Sequence, residues 1–306
     1  MLQSFLPKTI SDALKHVNLT CVSEIRLRVS RPIIVVANGQ FFFLCEDGLS
    51  GYSSKAIKAT KTMLSDIVFR AAECSIYSSN DQIKKGFLCV GDGVRIGIGG
   101  EVVVENNQIK TIKNYTSLCI RIPHNISGCS LNMFYDVVKN KKVLNTLIIS
   151  PPGCGKTTLL RDFINQLFLN NCPQNIFVAD ERCEIAGDSK EGFGLIENTY
   201  VDVVSNLCKH DAILQGIRVL SPTLIITDEI SSSEDAKVLA WAMNSGVAVV
   251  ATIHGAGVED IMKKEDFAPL FEKKYFQRFV VLSDENGPGT FRGIYDKDLE
   301  RISRRR

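Results

Sequence analysis

The chain has 306 residues, 45% hydrophobic and 23% charged, with 36 basic side chains against 34 acidic ones. That composition excludes a disordered chain and a general polycation, and suits one large or two ordinary globular domains. The longest apolar runs (32–37, 41–45 and 247–251) fall far short of the roughly 18–20 residues of a membrane-spanning helix, and MLQSFLPKTI has no apolar core behind a basic start, so neither a span nor a signal peptide is expected.

Charge and texture both change near residue 128. Residues 1–128 carry 15 basic and 10 acidic side chains, and residues 129–306 carry 21 and 24. The first part reads as short β-rich runs at 31–37, 41–45, 86–90, 94–97, 101–105 and 117–122, with Gly91-Asp92-Gly93 and Glu105-Asn106-Asn107 as hairpin turns. One helix is expected over 54–74, where Ile57, Met63, Leu64, Ile67, Val68 and Ala71 recur near helical spacing. The second part alternates apolar strands (146–149, 175–179, 223–227, 247–252, 279–283) with helices (after 155 to 169, 205–219, and 233–244 with Ser231, Ser232 and Ser233 as candidate caps). Uninterrupted β-branched runs between helices predict a mostly parallel sheet covered on both faces. The expected organisation is a smaller α+β domain over 1–128 and an α/β domain over 129–306. The ten cysteines show no metal-ligand spacing, and a chain this long needs no staples, so reduced and mostly buried thiols in a cytosolic protein are expected. The terminal run ending Arg304-Arg305-Arg306 reads as a solvated tail, with a weak anchor on acidic lipid or nucleic acid as the alternative.

The strongest chemical signal is Ser150-Pro151-Pro152-Gly153-Cys154-Gly155-Lys156-Thr157-Thr158, set between a strand and a helix. Small residues there let backbone N–H groups turn inward around a phosphate, and the new helix points its positive end at the same anion. Pro152 to Thr158 would thus hold ATP, with Lys156 reaching the β- and γ-phosphates and Thr157 ligating Mg²⁺. Ser150 stands where the first glycine of this pattern usually stands, at the start of the loop. Leu224-Ile225-Ile226-Thr227-Asp228-Glu229 is an apolar strand ending in two acids, roughly 70 residues further on. Asp228 would hold Mg²⁺ through water, and Glu229 would polarise the attacking water. The strand ending in Asp180-Glu181-Arg182 would deliver three charges to the same carboxyl edge, or end in plain solvent. The strand ending in Thr252-Ile253-His254-Gly255 brings a polar pair there, where Thr252 or His254 could sense the γ-phosphate; a structural histidine is the alternative.

Taken together, GCGKTTLLRD, VADERCEIAG, LIITDEI and ATIHG resemble the stage III sporulation protein AA family, sporulation ATPases similar to the hexameric motors of type II and type IV secretion. EIRLRV at 24–29, Arg31-Pro32, Ser75-Ile76-Tyr77, Lys85-Gly86-Phe87, VRIGIGG at 94–100, Ile109-Lys110-Thr111 and SLCIRI at 117–122 extend the resemblance through the first half, in the same order. The resemblance implies a RecA-like P-loop core behind a smaller amino-terminal domain and a homo-oligomeric, hexameric ring with ATP between subunits. It implies Glu229 as catalytic acid, Glu181 in the acidic box and His254 in the histidine box. Arginines of the amino-terminal domain would reach the nucleotide, and Arg121 and Arg95 are the positions nominated. It further implies a motor powering a channel between mother cell and forespore, docked on membrane-embedded partners from the cytoplasmic side. Ser150, Ile253 and Thr227 depart from the family pattern without removing a charge the chemistry needs. A nucleic-acid-associated P-loop ATPase is the alternative, weakened by the absence of an aromatic stacking motif.

Overall fold

The computed structural model describes residues 2–73, 79–91, 93–187 and 195–302. Parts of three sequence readings, the Gly91-Asp92-Gly93 turn, Ser75-Ile76-Tyr77 and the terminal arginines, lie outside them. The chain divides into two compact units, one over Met1–His124 and the other over Asn125–Ala186 with Leu195–Arg306.

The first unit opens with two short helices, α1 (Leu2–Phe5) and α2 (Lys8–Leu14), followed by β1 (Val22–Arg28), β2 (Ile34–Ala37), β3 (Gln40–Cys45) and β4 (Gly48–Ser50). Helices α3 (Lys61–Ala71) and α4 (Asn80–Lys84) precede β5 (Phe87–Val90), β6 (Val94–Glu105) and β7 (Gln108–Arg121). The strands form one antiparallel sheet in the order β4-β3-β2-β1-β7-β6-β5. Alternation sets its faces: Ile25, Leu27, Ile96, Ile98, Leu118 and Ile120 are buried under Leu64, Ile67 and Val68 of α3, while Arg26, Arg95 and Arg121 lie on the opposite face.

Two differences from the expected elements have local causes. The expected helix over 54–74 begins only at Lys61, because Thr60 caps it by accepting from Met63 N–H at 3.2 Å and the preceding residues are drawn into the sheet. Ile57 N–H donates to Leu44 (2.8 Å), and Ile33 N–H donates back to Ile57 (2.9 Å). The runs at 94–97 and 101–105 are one strand, β6, bent by a register shift between Gly99 and Glu101. Asn106 and Asn107 turn it into β7 with φ of 52° and 59°.

The second unit begins with α5 (Leu131–Val137) and a small hairpin of β8 (Val138–Lys139) and β9 (Lys142–Val143). Its main elements are β10 (Thr146–Ser150), α6 (Lys156–Leu169), β11 (Ile176–Asp180), β12 (Val201–Ser205), α7 (Lys209–Leu220), β13 (Leu224–Thr227), α8 (Ser233–Asn244) and β14 (Ala248–His254). Two short helices, α9 (Val258–Met262) and α10 (Ala268–Glu272), lead to β15 (Arg278–Ser283) and β16 (Thr290–Asp296). The sheet order is β12-β11-β13-β14-β10-β15-β16, parallel throughout except for the β15–β16 pair. This is a P-loop, RecA-like α/β core behind a smaller α+β unit. Strands β10, β11 and β13 are buried at every position, as uninterrupted apolar runs require. The expected helix over 205–219 starts later, since 201–205 forms the edge strand β12 beside β11. Helix α7 packs closely at Gly216, where a Cβ would come within 2.6 Å of the Phe177 ring.

No disulfide links the described cysteines; Cys45, Cys154, Cys172 and Cys183 are buried and Cys208 is exposed. Among the described residues, no helix is long and apolar enough to cross a membrane.

Helix α6 carries its own anchor, Asp162, which is 5% exposed. Its carboxylate accepts from Gly128 N–H (2.8 Å), from Ser130 N–H and hydroxyl (2.6 Å each) and from Gln166 (3.3 Å), tying the start of α5 to the helix that follows the phosphate loop. Burial pushes this carboxyl up, but the Ser130 and Gly128 hydrogen bonds outweigh it and hold it below the ordinary 3.8. A depressed folded-state value contributes stability that is present above the unfolded value and lost as pH falls through the folded one. Asp162→Asn should therefore cost about 1–3 kcal/mol near neutrality. Urea unfolding at several pH values should show that gap narrowing below pH 3.8.

Candidate active site

Four strand ends of the second unit, those of β10, β11, β13 and β14, supply the charged and hydroxyl groups at the carboxyl edge of the parallel sheet. After Ser150 the chain turns through Gly153 (φ 77°) and Gly155 (φ 82°), left-handed positions that glycine adopts without strain. No atom lies within 4 Å of a Cβ placed at Gly153, so the backbone there faces open space. The loop is fastened from behind by the buried Cys154, whose carbonyl accepts from Gly289 N–H at 3.0 Å. Ser150, the departure from the usual glycine, ends β10, and its hydroxyl donates to Pro151 carbonyl (2.9 Å).

Lys156 is buried to 5% exposure, and its ammonium donates to His254 Nδ1 (3.0 Å), Pro151 carbonyl (3.3 Å) and Ser150 Oγ (3.4 Å). Burial pushes the ammonium below its ordinary value against the opposing pull of Asp228 and Glu229. Thr157 donates its hydroxyl to Asp228 Oδ2 in a short contact. Asp228 Oδ1 accepts from the Thr252 hydroxyl, also in a short contact, and from Glu229 N–H at 3.0 Å. Thr252 Oγ1 accepts from the same Glu229 N–H at 2.8 Å. These bonds hold Glu229 at φ 50°, a left-handed conformation that a non-glycine residue adopts only where its surroundings impose it. Thr227 is explained as well: it is fully buried, and its hydroxyl donates to Ala179 carbonyl (2.9 Å), tying β13 to β11.

The Glu229 carboxylate meets His254 Nε2 at 3.1 Å through Oε1 and Arg182 through Oε2. Burial pushes this carboxyl up, yet Arg182, His254 and Lys156 outweigh it and keep it below its ordinary range, so it is ionised at neutral pH. Glu181 stands one residue from Arg182 and pairs with Lys209 at 2.7 Å. Beside these groups a recess of about 450 Å³ is lined by Arg182, Glu229, Ser231, His254 and Lys264, among others. Glu229, Glu181, His254, Lys156, Thr157 and Asp228 thus all belong to one unit. Arg121 and Arg95 belong to the other: they face each other across β7 and β6, Arg121 lies 3.5 Å from Glu24, and Arg95 covers the Phe87 ring at 4.2 Å.

Two buried cations at this edge carry no sequence-stated role. Arg161, 5% exposed, donates to Glu184 carbonyl and Asn125 Oδ1 (both 3.2 Å) and lies in the field of Asp228 and Asp180. Its signal was its place four residues after Thr157, on the same helical face. Lys209 opens α7 and has no such signal, because its partner Glu181 is distant in sequence.

The sequence model of the family "Sporulation stage III, protein AA" matches residues 3–302. The chain belongs to that family. It is 33% identical to "Stage III sporulation protein AA" of Bacillus subtilis (strain 168), over 98% of this chain and 95% of that protein. The fold is similar to that of "the Legionella pneumophila ATPase DotB" (TM-score 0.61, 16% identity, 90% of this chain and 76% of that one). It is also similar to that of "the Pilus Retraction Motor PilT and Bound ADP" (TM-score 0.58, 14% identity, 90% and 78%).

Thr252 is fully buried and joins β14 to both acids that follow β13. Thr252→Val should take one donor from the buried Asp228 carboxylate, leave the Glu229 N–H with Asp228 Oδ1 alone, and cost about 1–3 kcal/mol in a denaturant melt, whereas Thr252→Ser should cost less than half as much.

Proposed function

We propose that this sporulation-family protein is a Mg²⁺-dependent ATPase, a ring-forming motor of an export channel between mother cell and forespore. The observation that carries the reading is the meeting of Lys156, Thr157, Asp228 and Glu229 behind a glycine-turned loop at the head of α6. Family membership supports the sporulation setting, and the fold shared with an ATPase and with a pilus retraction motor that holds ADP supports the chemistry.

The residues present fit Mg²⁺. Thr157 hydroxyl and Asp228 carboxylate are hard oxygen donors already in contact. Mg²⁺ takes few protein ligands, keeps several waters and draws its other ligands from substrate phosphates, so these two groups would suffice. When bound with ATP, Mg²⁺ neutralises charge between the β- and γ-phosphates. Behind Pro152, which has no N–H to give, Gly153 to Thr158 cradle the phosphates with backbone N–H groups, and Lys156 turns its ammonium from His254 to them. Glu229 takes the proton of the attacking water, with His254 at one of its oxygens. Glu181 completes the acidic edge.

In this reading the 1–128 domain supplies Arg121 and Arg95 to nucleotide held by the 129–306 domain of a ring of six chains. Head-to-tail contacts let γ-phosphate order that junction and hydrolysis release it. Membrane-embedded channel components hold the motor at the cytoplasmic face.

Nucleotide binding, turnover and light scattering on two variants test the proposal together. Lys156→Ala should lose ATP binding. Glu229→Gln should bind ATP with near-normal affinity, turn over about 100-fold or more slowly, and accumulate as a closed ring with Mg-ATP. Full turnover by Glu229→Gln, or a monomer under every condition, would contradict it. Hydrolysis driven by single-stranded nucleic acid with steep salt dependence would point instead to a nucleic-acid ATPase.

A further inference from the structure

Strand β11 ends in a hook. Asp180, 3% exposed, accepts from the N–H groups of Glu184 (2.8 Å), Ile185 (3.0 Å) and Ala186 (2.9 Å), drawing the chain back over its own carboxylate. Cys183 turns the hook at φ 55° and is buried, as are Ile185 and Ala186. Arg161 fastens it from α6 through the Glu184 carbonyl at 3.2 Å. The next two side chains after Asp180 therefore project from a fixed base. Glu181 is taken by Lys209, whose side chain is 7% exposed, and Arg182 by Glu229.

The other oxygen of Glu229 faces His254, whose tautomer follows from its neighbours. An ammonium can only donate, so His254 Nδ1 accepts from Lys156 and Nε2–H donates to Glu229 Oε1. Each carboxylate oxygen thus has one partner from a different strand end, β11 on one side and β14 on the other. Two partners at two oxygens fix the plane of the carboxylate as well as its position. Each oxygen keeps a further lone pair with which to receive a water proton.

We propose that Arg182 is a positioning residue for hydrolysis: from the rigid hook it holds one Glu229 oxygen while His254 holds the other, so that the carboxylate is aimed before nucleotide enters. The inference rests on Glu229 being the general base. A glutamate left to itself samples several rotamers, and a base already in its reactive orientation spares the reaction that ordering. A guanidinium does this better than an ammonium because its planar fork restricts the carboxylate in direction as well as distance. Fold stability does not explain the pair. The Arg182 side chain is 50% exposed, and ion pairs so exposed contribute little to folding.

The test uses the full chain with Arg182→Ala, Arg182→Lys, Glu229→Gln and the Arg182→Ala/Glu229→Gln double variant. Arg182→Ala should keep its ATP Kd within about twofold and lower kcat about tenfold or more, with Arg182→Lys recovering part of the loss. In the Glu229→Gln background the same Arg182→Ala change should lower the residual rate less than about twofold. Wild-type kcat in Arg182→Ala, or an undiminished rate effect in the Glu229→Gln background, would each overturn the inference. Full turnover in Glu229→Gln alone would instead overturn the assignment of the base on which it rests.

Discussion

The second unit depends on how Asp228 is held. One carboxylate accepts from Thr157 on α6, from Thr252 on β14 and from the N–H of Glu229 on the turn after β13. Three segments far apart in sequence are thereby fixed to one buried acid, 9% exposed. Parallel strands place these segments side by side, but their register sets positions only along the sheet. The hydroxyls of Thr157 and Thr252 then orient the carboxylate, and the strained Glu229 backbone follows from them.

Around this junction, charges are buried in alternation. Lys156, Arg161 and Lys209 are each at most 6% exposed, and Asp180 and Asp228 lie among them. Buried charges destabilise a fold unless they are paired or hydrogen-bonded, and here each of these is hydrogen-bonded, Lys209 also in an ion pair with Glu181. A network of this kind adds little to stability over an apolar core of equal volume. It does leave a rigid set of cations and acids at one edge, pre-arranged for a highly charged ligand. The surroundings match that rigidity: Asp162 anchors α6, and a capping box between Ser232 and Asp235 starts α8 three residues after Glu229.

Much of this was legible in the sequence for reasons of local chemistry. The uninterrupted apolar runs at β10, β11 and β13 announce buried parallel strands, and helix 233–244 was readable to the residue because Ser232 caps it. The phosphate loop and the acids after β13 are local patterns whose chemistry needs those residues in that order. What was not legible depends on distant partners. Strand β1 carries one acid and two arginines in seven residues and becomes a strand through its pairing with β2 and β7. The residues before Thr60 have helical spacing, yet they bridge to strands. Edge strand β12, whose apolar run Asp202 interrupts, is assigned no element from sequence alone and becomes a strand through its pairing with β11. The partner of Arg182 lies 47 residues away, so no local pattern announces the pair.

The central claim is that the Thr157–Asp228 junction is where Mg²⁺ and ATP meet. Calorimetric titration of ATP into the wild-type chain, with Mg²⁺ present and with Mg²⁺ chelated, tests it most directly. The expected result is binding in both conditions, because the loop and Lys156 would hold phosphate without metal, and markedly tighter binding with Mg²⁺, whose charge Thr157 and Asp228 would hold beside the phosphates. Equal affinity with and without Mg²⁺, or no binding in either condition, would contradict it.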